Sequence, residues 1–515
     1  MQKILPLLAL AAVCLTAPAQ AAVVPNFLFS NNAVLQRDKP IPVWGTADPG
    51  ESVTVTFAGH ALNTVAASDG KWRVDLPALP ANSTGSNLVI QGTNTLTFTN
   101  VLVGEVWIAS GQSNMEWKVN QTYDTAIDLP ASERYPMIRE IGVAPATPNG
   151  VSETPLTVSS GSWQVAGPNT AGNFSAIAYF YARTLYENLN VPVGIINTSS
   201  GGSKIKSWLD PWTLSSSTDP DFQSILTAWR TSKQAYPGNP DNRSAALKKW
   251  DEDKAAADAA GQPFTTPRPD PWPGYGGGPG DYFMPSGLYN AKINPLVPYA
   301  LRGAIWYQGE GDSGGAATYV KLFPAMITGW RTQFGQGAFP FYWVQLSSFG
   351  DPIITNAAFM REAQTRTLSL TNTGQAVSMD LGESNIHPGR KMPIGRRLAR
   401  VALARTYGKT DLIDEGPVFK AAVREGAGFR ISFTKTDGQH RLVNLLPNLE
   451  GFEMAASDKV FKPAQAVISN DQTTVLVTST TVPNPQFVRF GWRDLISVSL
   501  YNREGLPAVP FRTDQ

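Results

Sequence analysis

The stretch Leu102-Val103-Gly104-Glu105-Val106-Trp107-Ile108-Ala109-Ser110-Gly111-Gln112-Ser113-Asn114-Met115 decides the fold of this chain. Its first half, rich in Val, Trp and Ile, is typical of a buried strand in a parallel sheet. Its second half releases Ser113 into a glycine-containing turn, at the strand end where open α/β sheets bind their ligands. A hydroxyl exposed there, with backbone N–H groups close to it, favours a nucleophile and therefore a hydrolase.

A histidine far along the chain supplies the base that such a serine needs. Of the three histidines, His60 and His440 lie in β-patterned regions, and we interpret them as turn or strand residues. His387 follows the strand-like residues 375–381 and precedes an amphipathic helical run over residues 392–407. A base on the loop after a late strand can reach a serine on the loop after an early one. The alternative is a loop histidine that caps the following helix.

The composition describes a near-neutral globular chain. Its 515 residues predict two or three domains, and its 42% hydrophobic content supports a large core. The 45 glycines and 40 prolines indicate many turns, hence β-rich parts beside any helices. A formal net charge of +1, with 16% charged residues and no basic patch, argues against nucleic acid as a partner.

Residues 1–21 are predicted to be a secretory signal peptide, with a positive start, an apolar centre and an Ala-Gln-Ala cleavage site. The single cysteine, Cys14, lies inside it, so the mature chain is expected to have neither disulfide nor thiol chemistry. No later segment is long and apolar enough to insert into a membrane. We therefore expect an exported protein, periplasmic or secreted, and the short leader is typical of bacteria.

The pattern of apolar residues and turn signals divides the rest of the chain. Residues 22–101 contain short alternating strands typical of a sandwich or jelly roll, and residues 411–515 return to that pattern, as if both formed one accessory module. Residues 102–410 alternate strand-like and helix-like segments, which predicts a doubly wound parallel sheet with helices on both faces. Residues 209–285 interrupt this alternation with helical runs, a Pro- and Gly-dense tract and several tryptophans. This insertion is either a lid or substrate wall, or a structural excursion that packs its own tryptophans.

Three further segments end predicted strands and join the candidate site. Residues 197–203, Asn-Thr-Ser-Ser-Gly-Gly-Ser, contain paired glycines that let a backbone N–H approach a reacting oxygen. Residues 306–312 are Trp-Tyr-Gln-Gly-Glu-Gly-Asp. We expect the side-chain amide of Gln308 in this segment to donate a hydrogen bond to the same oxygen. Residues 380–383, Asp-Leu-Gly-Glu, place two carboxylates just before His387. Together, at strand ends in an α/β order, these segments predict an active site.

Several motifs in this chain occur together in one known family. They are Gly111-Gln112-Ser113-Asn114-Met115-Glu116, Gly201-Gly202, Trp306-Tyr307-Gln308-Gly309-Glu310 and Ile386-His387-Pro388, with Val34-Leu35-Gln36-Arg37 and Val43-Trp44-Gly45 near the start and Tyr501-Asn502, Gly505-Leu506-Pro507 and Pro510-Phe511-Arg512-Thr513-Asp514 at the end. In these motifs the sequence resembles the sialate O-acetylesterases, which are carbohydrate esterases of the SGNH hydrolase superfamily. The resemblance covers most of the mature chain. The resemblance implies an SGNH-type α/β/α core, no metal, no cofactor, and the removal of acetyl groups from sugars.

The resemblance also implies a role for each matching residue. Ser113 would be the nucleophile and His387 its base. The backbone N–H of Ser113, with Gly202 and Gln308, would form the oxyanion hole. Gly202 is preferred to Gly201 because the matching glycine of the family usually directly precedes a polar residue.

One position departs from the family pattern. Bacterial relatives often carry Asp two residues before the histidine, where this chain has Asn385. Asparagine can orient an imidazole but cannot stabilise the imidazolium by charge. Asp380 and Glu383 are the candidate replacements, and Asp380 is favoured because a strand end holds a side chain more rigidly than a loop. A Ser–His pair with a weak third member is the remaining alternative.

The predicted function is that of a carbohydrate O-acetylesterase, which works through an acetyl-enzyme intermediate and without a cofactor. The alternative from another class is a carbohydrate-binding protein with a degenerate hydrolase core, motivated by the β regions, the 14 tryptophans and Asn385. A third interpretation is an SGNH esterase acting on lipids or simple esters. By analogy, export and the accessory regions favour acetylated polysaccharide or oligosaccharide, such as xylan or xyloglucan, over sialic acid.

Overall fold

The computed structural model describes residues 22–147, 150–236, 242–269, 284–350, 355–434, 436 and 440–514. The predicted signal peptide, residues 1–21, and most of the Pro- and Gly-dense tract, residues 270–283, lie outside these ranges.

The N-terminal part is built from strands that pair mostly antiparallel. They are β1 (Val24–Pro25), β2 (Val34–Gln36), β3 (Ile41–Thr46), β4 (Ser52–Phe57), β5 (His60–Val65), β6 (Lys71–Leu76), β7 (Asn82–Gln91) and β8 (Thr95–Gly111). β1, β3 and β6 form one sheet, whereas β4, β5 and β7 join β8, and β2 pairs parallel with β8. Strict alternation in β6 buries Trp72, Val74 and Leu76 and exposes the residues between them.

The central part alternates strands with helices. Its strands are β9 (Ile138–Gly142), β10 (Ala144–Pro145), β11 (Ser159–Ser160), β12 (Gln164–Val165), β13 (Val193–Asn197), β14 (Gly303–Tyr307), β15 (Phe341–Gln345) and β16 (Thr373–Val377). Its helices are α1 (Ser113–Glu116), α2 (Thr125–Ala131), α3 (Ala176–Leu189), α4 (Pro211–Ser216), α5 (Pro220–Ala235), α6 (Arg243–Ala259), α7 (Ala316–Phe334), α8 (Ala357–Arg366) and α9 (Lys391–Arg405). The sheet runs in the order β12-β9-β13-β8-β14-β15-β16, with parallel neighbours from β9 to β16 and an antiparallel edge at β12.

The strand that leads to Ser113 belongs to two sheets at once. The first part of β8 pairs antiparallel with β7, and its second part, from Glu105, pairs parallel with β13 and β14. The boundary predicted between residues 101 and 102 therefore falls inside one continuous strand of 17 residues. Since the N-terminal strands also share the hydrophobic core of the central part, they brace this strand along its length.

Helices cover both faces of the central sheet. Consecutive residues of β15 point to opposite faces. Tyr342 stacks on Trp107, which also contacts Tyr181 of α3, whereas the next residue, Trp343, lies edge-on to Phe323 of α7. α3 packs against α9 on the first face, and α7 packs against α8 on the second. The expected α/β class is thus present as a large mixed sheet between two helical layers.

One strand of this sheet, β9, was missed by the sequence pattern because Arg139 and Glu140 interrupt its apolar run. Both side chains are buried. The guanidinium of Arg139 donates to the backbone carbonyl of Asn100, and the carboxylate of Glu140 accepts the backbone N–H of Ser175. These partners lie far away in the chain, so periodicity alone cannot reveal that the charged groups are satisfied.

Helices α4, α5 and α6 occupy the interruption predicted at residues 209–285. α6 buries none of its residues, and its Trp250 packs locally against Phe264. Trp212 of α4 is 69% exposed. Across the ranges given above, no helix of the chain is both long enough and apolar enough to cross a bilayer.

The C-terminal part forms small antiparallel sheets. Their strands are β17 (Val418–Glu425), β18 (Gly428–Thr434), β19 (Leu442–Asn444), β20 (Phe452–Ala455), β21 (Lys462–Pro463), β22 (Gln465–Ile468), β23 (Thr474–Thr478), β24 (Phe487–Phe490), β25 (Leu500–Asn502) and β26 (Phe511–Arg512). Their apolar side chains build a separate core that includes Val377 and Met379 of the central part. The two β regions therefore do not form the single module expected from their similar patterns. Each packs on the central sheet instead, because a strand pattern does not specify the partner of its apolar face.

Candidate active site

The turn between β8 and α1 requires glycine at position 111. Gly111 has a φ of +131°, and a Cβ there would lie 2.1 Å from the carbonyl oxygen of Tyr307 on β14. The next residue, Gln112, donates its backbone N–H to that same oxygen at 2.9 Å. The chain then turns sharply, and Ser113 becomes the first residue of α1. As the first helical residue, Ser113 has a backbone N–H without a partner inside the helix.

Ser113 and His387 meet at this edge of the sheet. The distance between Ser113 Oγ and His387 Nε2 is 2.8 Å, a hydrogen bond between residues 274 positions apart. Both side chains are half-buried. The indole of Trp117 stacks on the imidazole, with ring centroids 5.0 Å apart and an interplanar angle of 22°. The imidazole is therefore fixed on one face by an aromatic ring and at Nε2 by the serine hydroxyl.

The environment of His387 favours its neutral form. Burial lowers the pKa of the imidazole below its usual 6.5, and the nearby ammonium of Lys391 lowers it further. A neutral imidazole is the form that can accept the serine proton. The site is thus prepared for general-base chemistry near neutral pH.

Asp380, the favoured third residue of the sequence analysis, has other partners. Its two carboxylate oxygens accept hydrogen bonds from Arg397 at 2.6 and 2.7 Å, and the hydroxyl of Tyr501 lies 3.3 Å away. Asp380 thus ties α9 to the C-terminal β part and makes no hydrogen bond to His387. The orienting role expected for Asp380 stays a prediction, and in this conformation a guanidinium from the following helix holds the carboxylate.

Glu383 and Asn385 shape the loop that carries His387. The carboxylate of Glu383 accepts the Tyr123 hydroxyl at 2.5 Å and the Gly389 N–H at 3.1 Å. Asn385 Oδ1 accepts the backbone N–H of His387 at 2.9 Å. Within the described ranges no side chain hydrogen-bonds to Nδ1 of His387, so neither residue acts on the imidazole as the third member of a triad in this conformation.

Replacing Asp380 with asparagine tests this assignment. The amide cannot pair by charge with Arg397, and a buried ion pair that loses one partner costs about 3–5 kcal/mol. We therefore expect a lower Tm with nearly unchanged kcat, measured by thermal unfolding and by acetate release. A fall in kcat of roughly 10⁴-fold, the loss known for the aspartate of a serine triad, with an unchanged Tm would make Asp380 the orienting acid after all.

A buried polar network supports the loop beneath the imidazole. Asn114 Nδ2 donates to the carboxylate of Glu310 and, at 2.9 Å, to the backbone carbonyl of Ile386. Asn114 Oδ1 accepts a hydrogen bond from Lys391 Nζ. The three network side chains, Asn114, Glu310 and Lys391, are at most 3% exposed. They connect the residue after Ser113 to the residue before His387, and so fix the spacing between the two.

Burial shifts the two ionisable groups of this network towards neutrality. Burial raises the pKa of Glu310 to about 7, and it lowers the pKa of Lys391 to about 7. The Lys391 ammonium also lies 5.4 Å from the centre of the Trp117 ring, on which His387 stacks. Its charge therefore acts on the imidazole through space, while its hydrogen bond acts through Asn114.

The loop after β13 places Gly201 beside Ser113, with Gly202 next to it in the chain. The N–H of Gly201 donates to Glu116 Oε2 at 2.7 Å, and a Cβ on Gly201 would lie 3.7 Å from Ser113 Cβ. Gly202 has a left-handed φ of +71°, and its N–H makes no hydrogen bond to any described residue. The backbone N–H groups of Ser113 and Gly202 thus have no hydrogen-bond acceptor among the described residues.

The side-chain amide of Gln308, expected to donate to the reacting oxygen, donates to other groups in this structure. Its buried Nε2 donates to the carbonyl oxygen of Ser203 at 3.1 Å and to Asp312 Oδ2 at 2.6 Å, which uses both amide protons. The side chain therefore ties its own loop to the glycine loop through Ser203. The oxyanion role expected for Gln308 stays a prediction, because both protons of its amide have other acceptors in this conformation.

The supporting roles of Asn114, Glu310, Trp117 and Lys391 were not predicted from the sequence. Asn114 and Glu310 stand inside the quoted family motifs, so their presence there was a usable signal. Lys391 gave none, because a lysine at the start of an amphipathic helix is normally solvated. In the part of the chain that the structure describes, no three His, Cys, Asp or Glu side chains gather as metal ligands.

Comparison with known proteins places this site in a family. The family model described as carbohydrate esterase, sialic acid-specific acetylesterase, matches residues 103–239 and 281–404. These residues include Ser113, Gly202, Gln308 and His387.

Relatives match over nearly the whole length as well. A mouse sialate O-acetylesterase is 28% identical over 93% of this chain and 92% of its own, and the human protein is 28% identical over 76% and 72%. A solved carbohydrate acetylesterase from Xanthomonas citri is 34% identical, covers 96% of this chain and 100% of its own, and superimposes with a TM-score of 0.77. The chain therefore belongs to the sialic acid-specific acetylesterase family of carbohydrate esterases, hydrolases of carboxylic esters.

Proposed function

We propose that this carbohydrate acetylesterase uses Ser113 as its nucleophile and His387 as its general base. The observation that carries the proposal is the 2.8 Å contact between Ser113 Oγ and His387 Nε2. A serine at a strand end, hydrogen-bonded to a half-buried imidazole of lowered pKa, is the arrangement required for nucleophilic catalysis. It also argues against a degenerate core that only binds carbohydrate.

The reaction follows from these positions in two acyl transfers. His387 accepts the proton of Ser113 as the hydroxyl oxygen attacks the acetyl carbonyl. The backbone N–H groups of Ser113 and Gly202 donate to the developing oxyanion, each worth roughly 3 kcal/mol. The C–O bond to the sugar breaks, and His387 returns the proton to the leaving alcohol. Water, deprotonated by the same imidazole, then attacks the acetyl-enzyme and releases acetate.

The network of Asn114, Glu310 and Lys391 acts as a positioning device for this pair. It holds the carbonyl of Ile386, so the adjacent His387 cannot drift from Ser113 without breaking a buried hydrogen bond. No described side chain orients Nδ1 of His387. The network and the stacked Trp117 therefore orient the imidazole, which is the role of the third triad member in other serine hydrolases.

Lys391→Met should lower kcat/KM by roughly 10²-fold, the cost of misplacing a catalytic group by about 1 Å. The pH profile changes as well. Activity needs neutral His387, so it is present above the pKa of the imidazole and lost as the pH falls through it. Since the pKa of Lys391, about 7, lies above that of His387, the ammonium is charged across this range. Removing it raises the pKa of His387 and moves the acid limb of kcat/KM to higher pH.

Two matched variants control this experiment. Lys391→Arg keeps the positive charge and should leave the acid limb at low pH. Lys409→Met removes an exposed lysine just beyond α9 and should change neither rate nor profile. If Lys391→Met lowers only the Tm and leaves the acid limb in place, the residue has a purely structural role.

The finer fold class is part of the proposal. We infer that the central sheet is of the doubly wound SGNH type. The inference is supported by the parallel order β9-β13-β8-β14-β15-β16 and by a serine directly after β8. It is also supported by a histidine in the loop before the last helix, α9.

Export and substrate are proposed on sequence grounds. Residues 1–21 support secretion or a periplasmic location, and acetylated polysaccharide or its oligosaccharides is the proposed substrate class. Acetate release from acetylated xylan, xyloglucan, pectin and O-acetyl sialic acid ranks these candidates directly. Activity on simple esters such as p-nitrophenyl acetate alone would favour an esterase of non-sugar substrates.

A further inference from the structure

A polar cavity adjoins the serine. It has a volume of about 450 Å³ and lies at the carboxyl ends of β9 and β13, the edge of the sheet that also carries Ser113. One wall is Glu116, three residues after Ser113 in α1, which holds the N–H of Gly201. The cavity therefore shares Glu116 with the helix that begins at the nucleophile, and ligands of open α/β sheets bind along the same edge.

The cavity contains a cation with unused hydrogen-bonding capacity. Lys292 Nζ donates to the carbonyl oxygen of Ser199 at 2.8 Å, and that is its only hydrogen bond to a described residue. No carboxylate of those residues lies within 4 Å of it. Burial lowers the pKa of Lys292 to about 8, while the charge of Glu116, more than 4 Å away, acts in the opposite direction, so the ammonium is still charged at neutral pH. A partly buried ammonium with two free N–H groups is costly unless an anion or an acceptor faces it.

The carboxylates of the cavity are already engaged. Glu116 accepts the N–H of Gly201, and Glu140 accepts the side-chain amide of Asn197 at 3.0 Å and the N–H of Ser175. Burial raises the pKa of Glu140 to about 7, which weakens its negative charge near neutrality. Lys118, a second lysine of the lining, is exposed, and its charge acts on Glu140 without an ion pair within 4 Å. The hydrogen-bond donors that remain available in the cavity therefore favour an anionic ligand.

The remaining lining suits a hydroxylated ring. It includes the amides of Gln164, Asn169 and Asn173 and the hydroxyl of Thr170. Amide groups both donate and accept, as sugar hydroxyls require.

We propose that this cavity is a subsite for a carboxylate-bearing sugar residue, whose carboxylate binds Lys292 while an acetyl ester of the same glycan reaches Ser113. The inference rests on the proposed function for the position of the ester, but the binding itself does not need catalysis. The carboxylate has two chemical sources, a uronic acid of a polysaccharide and a sialic acid, and the subsite is defined by the carboxylate they share.

Binding measurements test the subsite separately from the chemistry. Isothermal titration of the wild-type protein with digalacturonate and with N-acetylneuraminate, each also as its methyl ester, should show that the free acid binds more tightly. Lys292→Met should weaken binding of the free acids by about 10–100-fold, the value of one charge-assisted hydrogen bond, and should remove the preference over the ester. Lys420→Met, at an exposed position of β17, is the matched control.

The binding and activity measurements also distinguish failure of the proposed subsite from failure of the proposed function. Preference for only one of the two acids identifies the source of the carboxylate. Equal binding of acid and methyl ester by the wild-type protein, which requires no variant, would overturn the subsite whatever the activity. Carboxylate-dependent binding together with full activity of Ser113→Ala would instead overturn the proposed function and leave the subsite standing.

Discussion

Ser113→Ala is expected to lower kcat for acetate release on the order of 10⁶-fold, as removal of the nucleophile does in other serine hydrolases. The methyl group cannot attack a carbonyl, so no acetyl-enzyme forms. The fold should be unaffected, because the hydroxyl is half-buried and makes one side-chain hydrogen bond, to His387. Acetate release from an acetylated oligosaccharide measures the rate, and intact mass after rapid quenching detects the acetyl group on the wild-type protein.

The matched control for this variant is Ser384→Ala. Ser384 is exposed in the loop that carries His387, and its hydroxyl makes no hydrogen bond to another described residue. Full activity is expected. Should Ser113→Ala keep its activity while remaining folded, the chemistry must belong to another group of this chain.

His387→Ala is expected to lower kcat by roughly 10⁴-fold or more, because the serine then loses the base that accepts its proton. The residual rate should depend on added base. The cavity left by the imidazole opens beside Ser113 Oγ and is walled by Trp117. Free imidazole should therefore restore part of the activity in a saturable way, which acetate release at increasing imidazole concentration measures.

His60→Ala provides the comparison for this experiment. His60 is exposed at the start of β5, in the N-terminal part of the molecule. Its replacement should change neither the rate nor the response to imidazole. A variant of His387 that is inactive, unfolded and not rescued would say nothing about proton transfer, so near-ultraviolet circular dichroism is measured on the same sample. Wild-type activity in a folded His387→Ala would remove the imidazole from the mechanism.

The proximity of Ser113 and His387 could be predicted from the sequence because it depends on the topology of the sheet. Alternation of strands and helices predicts a parallel sheet, and the carboxyl ends of parallel strands share one edge. A serine after β8 and a histidine after β16 are therefore brought to the same edge despite 274 intervening positions. The glycine at 111 was part of that signal, since only a residue without Cβ fits against Tyr307.

The partners of the polar side chains could not be predicted in the same way. Asp380 has the position of a triad acid in the sequence, but its carboxylate oxygens accept hydrogen bonds from Arg397 and Tyr501. Gln308 has the position of an oxyanion donor, but its protons go to Ser203 and Asp312. Arg397, Tyr501 and Ser203 belong to other segments of the chain, whose approach no local pattern records, whereas Asp312 lies only four residues after Gln308.

The sequence by itself determined the α/β class, the family, and the edge of the sheet where Ser113 and His387 come together. The class and the edge follow from periodicity and strand direction, which are properties of neighbouring residues, whereas the family follows from the resemblance of the motifs around Ser113, Gln308 and His387. Only the tertiary structure decided how the imidazole is held, through Asn114 and the buried Lys391, and where the cavity with Lys292 lies. A buried polar group must satisfy its hydrogen bonds with whatever the fold brings within reach, and that set is fixed only when distant segments have packed.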